Sequence, residues 1–292
     1  MTLYSQISAN KRKTFFLFFF TFLVIIILGY FFGFYFADPY LGVLGAFVFS
    51  FGYAGVAYFF SDKIVLSISK ARPIEKKDHP LLYRTVENLS IGTGLPMPRI
   101  YIAEEAALNA FATGRDPRRA TLVVTRGLLR SLEDEELEGV VAHELSHIRN
   151  YDIRVMTLAV VLVGAIVLLA NIFLRGLYFT GSSRRRRSGG GVLVLVGLLL
   201  VLLSPLLAQL IKLAVSRQRE YLADSSAALL TRYPEGLARA LEKIAKDKTP
   251  MRNVSEATAH LYIKNPLSGK ALTSLFSTHP PVEERIRRLR SI

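Results

Sequence analysis

The chain has no cysteine. That excludes a disulfide framework, a thiolate nucleophile and a thiolate metal site, so any metal would have to be held by histidine and carboxylate. Histidine is scarce too, with five in 292 residues. Acidic residues are outnumbered by basic ones, 23 against 37, giving a formal net charge of +14 and a pI near 10.0. A hydrophobic share of 51% and a mean hydropathy of +0.33 exclude disorder and argue against an ordinary soluble enzyme. A high pI can mark nucleic-acid binding, but basic residues also gather on the cytoplasmic side of membrane proteins. The hydropathy favours the second reading, so the expected partner is a lipid bilayer and not nucleic acid.

Charge is missing altogether from four stretches: Thr14 to Ala37, Pro39 to Ser61, Val155 to Leu174 and Ser188 to Ile211. Each approaches the roughly 20 apolar residues that a bilayer crossing needs. Lys11, Arg12 and Lys13 precede the first stretch as the n-region of a signal peptide would. The apolar run is too long for a signal peptide, however, and Phe36-Ala-Asp-Pro39 is a poor cleavage site followed at once by more apolar sequence. A signal-anchor helix and a tight hairpin are therefore expected over residues 1–62. Lys63, Lys70, Arg72, Lys76 and Lys77 follow the second stretch, so the positive-inside bias places both the N-terminus and the chain after residue 62 in the cytoplasm. Arg184 to Arg187 sit between the third and fourth stretches, inside a low-complexity loop from Ser182 to Gly191. Two full crossings would put these arginines outside, whereas a re-entrant or interfacial hairpin over 155–211 would not. Length favours full crossings.

Two polar blocks, 63–154 and 212–292, are together large enough for one domain core interrupted by that second hairpin. Leu81, Leu82, Val86 and Leu89 predict a helix over Asp78 to Leu89. Strand-like runs at Arg99 to Ala103, Leu108 to Thr113 and Thr121 to Thr125, the last two joined by Gly114-Arg-Asp-Pro, predict a small sheet. Ser131, with Asp134 and Glu135, is placed to cap a helix running to about Arg149.

That helix carries His143-Glu-Leu-Ser-His147. A spacing of four sets both imidazoles on one helical face, where they can bind one Zn2+ while Glu144 reaches the water on the metal. Surface histidines on an amphipathic helix are the bland alternative. Val140, Val141, Leu145 and Ile148 oppose it by making the helix a buried one, where unpaired His and Glu are costly. A catalytic zinc needs a third protein ligand. Glu220, in Ser216-Arg-Gln-Arg-Glu-Tyr-Leu-Ala-Asp224, is the candidate, and Asp224, four residues on, could accept a hydrogen bond from a ligand histidine. A charged helix face with i,i+4 pairs would read the same way. Topology tilts the choice: about 12 Å of helix separates His147 from the third apolar stretch, so an antiparallel hairpin brings the two motif helices side by side above the membrane.

These motifs, followed by Thr278-His-Pro-Pro281 and Arg285-Ile286 and preceded by Asn109-Ala-Phe-Ala-Thr-Gly114, occur in one order with apolar spans between them. As a set they resemble the HtpX-type membrane zinc metalloproteases, gluzincins related to the CAAX prenyl proteases, over nearly the whole chain. The resemblance implies an α+β fold: a mainly helical gluzincin-type metalloprotease domain with a small sheet, plus four transmembrane or membrane-embedded helices. It implies one Zn2+ per chain and a multi-pass endopeptidase of the cytoplasmic membrane, facing the cytoplasm and cutting misfolded or damaged membrane proteins under stress. By the same resemblance His279 lies near the site as an oxyanion donor or regulatory ligand, its alternative being a capping histidine before Pro280-Pro281. Asn109 and Ala110 could form a sheet edge that pairs with substrate backbone, or an ordinary core strand. Arg285 packs or pairs with a carboxylate. The arginine-rich loop is a departure from the family's pattern. A dedicated processing protease of the CAAX type and a non-catalytic scaffold are the alternatives in other classes; the first predicts more spans, and an intact Glu144 opposes the second. His79 and His260 read as structural or exposed. The basic C-terminal helix reads as a solvated or lipid-facing surface.

Overall fold

A computed structural model of the chain describes residues 3–36, 38–161, 217–252, 258–264 and 280–292. Two long helices, α1 (Leu3–Phe36) and α2 (Pro39–Ile68), form a hairpin. Asp38 starts the second helix: its carboxylate accepts from the N–H groups of Tyr40 (2.6 Å) and Leu41 (3.4 Å), and Pro39 fills the first helical position. Near this turn Gly29 and Gly33 meet Gly42 so closely that a Cβ on any of the three would strike the opposite helix. Small residues thus let the two backbones touch, as in helix pairs packed within lipid. Phe15, Phe16 and Phe19 on α1 and Phe49, Phe51 and Phe59 on α2 are exposed, an arrangement suited to hydrocarbon and not to water. Among the described residues, α2 is the helix long and apolar enough to cross a membrane by length and composition. The expected third stretch is described only as far as residue 161, and the fourth, with Arg184 to Arg187, lies outside the described residues.

The sheet is small and mixed. Its strands β1 (Arg72–Pro73), β2 (Arg99–Ala103), β3 (Ala110–Thr113) and β4 (Thr121–Thr125) run in the order β1-β2-β4-β3; β2 and β4 are parallel and the other pairs antiparallel. Every residue of β4 is buried, which explains its unbroken apolar and β-branched sequence. The third strand starts at Ala110, two residues later than the sequence predicts, because the Leu108 N–H is taken by Asp247 Oδ2 (2.7 Å) and the Asn109 N–H by Thr125 Oγ1 (3.0 Å).

Helix α3 (Pro80–Thr93) begins two residues later and ends four later than expected. His79 caps it by accepting from the Leu82 N–H (3.3 Å), and Gly94 ends it at φ +67°, a left-handed conformation that glycine adopts without strain. The expected cap at Ser131 is corrected: Ser131 closes a short helix, α4 (Arg126–Ser131), and Glu133 caps the motif helix α5 (Asp134–Arg149), with its N–H held by Glu136 Oε2 (2.9 Å). A further helix α6 spans 152–161, followed among the described residues by α7 (Arg217–Thr231), α8 (Pro234–Lys246) and α9 (Val282–Leu289).

One core draws on both polar blocks: Leu82, Val86, Leu122, Val140 and Leu145 pack with Ala227, Leu237, Leu241 and Leu289. Helix α5 is its axis, lying against α7, α8 and the sheet. The approach to α8 is close at Gly139, where a Cβ would come within 2.7–3.0 Å of Leu237. Helix α6 leaves this core toward the hairpin, burying Val155 and Ala159 against Leu17, and Leu158 and Val161 against Ala57. Tyr53 of α2 donates to the Val161 carbonyl (2.7 Å).

Candidate active site

His143 and His147 leave the buried face of α5 one turn apart, and their Nε2 atoms are 3.2 Å from each other. Helix α7 packs alongside and presents Glu220, whose carboxylate oxygens lie 3.8 Å from His143 Nε2 and 3.6 Å from His147 Nε2. The three ligand-type atoms fall within 4.8 Å of one another, and all three residues are buried. A tetrahedral zinc with bonds of about 2.0–2.1 Å separates neighbouring donor atoms by about 3.3 Å, so the group is close to the size such an ion requires.

The far side of each imidazole makes the same point. Asp224, one turn beyond Glu220 on α7, places Oδ1 3.0 Å from His143 Nδ1. Asp152, the first residue of α6, places Oδ2 3.0 Å from His147 Nδ1. A carboxylate beside Nδ1 favours the tautomer that turns an unprotonated Nε2 toward a metal. Both Nε2 atoms and the Glu220 carboxylate then converge on one dry point, an arrangement suited to a bound cation.

Charge leads to the same conclusion. Four buried carboxylates, Glu144, Asp152, Glu220 and Asp224, surround the two histidines and outnumber the guanidinium groups facing them, Arg219 and Arg285. Arg285 is among the largest fully buried side chains and grips Asp224 with Nε (2.8 Å) and Nη2 (2.7 Å), while Nη1 lies 3.6 Å from Glu220. Burial alone would raise the Asp224 carboxyl, but Arg285 and the His143 contact outweigh it and hold the pKa at about 2. Burial likewise pulls His147 toward neutrality; the hydrogen bond to Asp152 and the charges of Glu220, Asp152 and Glu144 overcome it and push its pKa up to about 9. Glu144 behaves differently. Burial raises its carboxyl above the ordinary range, opposed by the two histidines and a backbone hydrogen bond from Ala112 on β3. A carboxylate adjusted in this direction suits a general base.

Asn109 and Ala110 lie at the edge of the sheet, where their polar groups are engaged. Asn109 Nδ2 donates to the Lys264 carbonyl (2.9 Å), the Lys264 N–H reaches Asn109 Oδ1 (3.4 Å), and the Ala110 carbonyl accepts from the Ile263 N–H (3.4 Å). His279 lies outside the described residues, and the side chain of His260 is likewise not described. Sequence reasoning passed over Asp152 and Asn10, and quoted Arg219 without giving it a role. The one available signal was that Asp152 follows the histidine motif closely, at the head of the next helix.

The profile of peptidase family M48 matches residues 76–292. A protease HtpX homolog from Dictyoglomus turgidum is 49% identical over 289 residues, covering 99% of this chain and 94% of that protein. Another, from Thermoanaerobacter pseudethanolicus, is 47% identical over 296 residues, covering 100% and 98%. Among solved structures, Ste24p of S. mikatae shares the fold, with a TM-score of 0.51 at 22% identity over 91% of this chain and 62% of that one. With its motif helices assembled around a His-His-Glu group and its apolar hairpin beside them, the chain belongs to peptidase family M48, as a membrane metalloprotease of the HtpX type.

Proposed function

We propose that the chain is a zinc-dependent endopeptidase of the cytoplasmic membrane that cuts misfolded or damaged membrane proteins. The observation that carries this is the convergence of His143, His147 and Glu220 on one buried point beside a buried Glu144. In this reading those three residues hold one Zn2+ and Asp224 orients His143. Bound zinc would supply a Lewis acid that polarises the scissile carbonyl and acidifies the attacking water. Glu144 takes the proton from that water, helped by a carboxyl raised by burial, and passes it to the leaving amine. Extended substrate backbone adds beside β3, with Ala112 nearest Glu144, and Asn109 and Ala110, whose own polar groups are engaged within the chain, shape that edge for it. His279, outside the described residues, is assigned the role of oxyanion donor or regulatory ligand by the resemblance alone.

Residues 1–62 and 155–211 are assigned to two membrane hairpins, four spans in all, with 63–154 and 212–292 forming the catalytic unit on the cytoplasmic face. The shared core of the two blocks and the outward-facing aromatics of α1 and α2 support this division.

The test is cleavage of casein, or of the chain itself, by detergent-purified protein with metal content read in parallel. The unaltered chain should hold about one zinc and cut, Glu144→Gln should keep zinc and stop cutting, and Glu220→Ala should lose zinc. A chain without zinc after reconstitution would refute the assignment. Tight zinc with no cleavage of unfolded substrates would point instead to a narrow processing enzyme.

A further inference from the structure

The two histidines have matching supports, and one of the supports is tied to the membrane hairpin. Asp224 beside His143 is clamped by Arg285; Asp152 beside His147 is clamped by Arg219, whose Nη1 lies 3.2 Å from Asp152 Oδ1. Asp152 has a further partner. Asn10, buried on α1 just before the apolar run, donates through Nδ2 to Asp152 Oδ1 (2.8 Å) and to the Asn150 carbonyl (2.8 Å), and its Oδ1 accepts from Arg219 (3.2 Å). The turn that allows this is unusual. Helix α5 ends at Arg149, and Tyr151 adopts a left-handed φ of +59°, which brings Asp152 back over the His147 ring. A non-glycine residue in that conformation costs about 1 kcal/mol or more and persists only where surrounding contacts enforce it.

We propose that Asp152 is a positioning residue for His147, and that Asn10 holds it in place, making the first hairpin helix part of the support of the metal site. Arg219 adjoins Glu220, so the helix that carries the carboxylate ligand also anchors the group that orients the histidine ligand. One amide on α1 bonds the end of the motif helix, the start of α6 and the ligand helix α7 together. The inference rests on the zinc-binding reading above.

The test uses the full chain in detergent, loaded with Co2+ so that the visible spectrum reports ligand geometry. Asp152→Ala should change that spectrum and release metal to a chelator about 10–100-fold faster, the usual effect of losing a group that orients a metal-bound histidine. Asp152→Asn keeps an acceptor oxygen and should recover part of the loss. Asn10→Ala should speed release more weakly, with the same spectral change. If Asp152→Ala fails to fold, Asp152→Asn and Asn10→Ala decide the matter: faster release supports the proposal and unchanged release overturns it. Folded Asp152→Ala with the parent's spectrum and release rate overturns it outright. A parent chain that takes up no cobalt or zinc would instead sink the metalloprotease reading, as would a His147→Ala chain that binds metal like the parent.

Discussion

Arg285 and Asp224 form a buried fork, two hydrogen bonds of 2.7 and 2.8 Å between helices α9 and α7, with the carboxylate standing 3.0 Å from His143. The pair is fully desolvated, so breaking one half strands a charge, and such losses cost about 3–5 kcal/mol. Arg285→Ala should therefore lower thermal stability by that order. Arg285→Lys keeps the charge but loses the fork, and should fold while weakening zinc about tenfold or more. Chelator competition and thermal melting in detergent separate the two effects.

Acid should dissolve the same pair. An Asp pKa held at about 2, against about 3.9 unfolded, contributes stability that is complete above the unfolded value and disappears as pH falls through the folded one. The expected contribution is about 2.5 kcal/mol, lost between roughly pH 5 and pH 1. Melting curves of the parent should drop across that window. Asp224→Asn should be less stable at neutral pH and show a shallower drop. Equal slopes would show that Asp224 does not titrate as this geometry requires.

Metal removal should soften the whole centre. A ligand bound only by the folded chain and supplied at a hundred times its dissociation constant stabilises by about 2.7 kcal/mol. Stripping zinc with a chelator should lower the melting temperature of the parent accordingly, and adding zinc should restore it. His147→Ala should show neither response.

The contact of α5 with α8 makes a prediction independent of metal. A methyl at Gly139 would meet the Leu237 backbone at 2.7–2.9 Å, where nothing yields cheaply, so Gly139→Ala should destabilise by about 1–3 kcal/mol. Gly92, on the exposed face of α3, is the control: its added Cβ would find only Leu230 Cδ1 at 3.5 Å. Gly92→Ala should be neutral or stabilising by up to about 1 kcal/mol through helix propensity. Paired melting curves test both.

Local periodicity made much of this readable in advance. Spacing of four placed His143 with His147 and Glu220 with Asp224 on common faces, and β-branched runs marked β2 and β4 to the residue. What the sequence hid depends on contacts that no local pattern encodes. Asp152 reaches His147 only because Tyr151 turns left-handed, and nothing in Asn150-Tyr151 announces that turn. Asn10 acts 142 positions away from Asp152, and Arg285 faced two possible roles until helix α9 was seen against α7. The sequence reading put the cap at Ser131 because the separate helix α4 is too short to leave a periodic signature.

The distance along the chain between Arg285 and His143, 142 positions, also sets a schedule. At a synthesis rate of about 5–20 residues per second, the histidine motif leaves the ribosome roughly 7–28 s before the arginine that completes its surroundings. Asp224 follows the motif partway through that interval and waits a further 61 positions for its clamp. The support of the candidate metal site is therefore complete only once α9, at the far end of the chain from the hairpin, has been made.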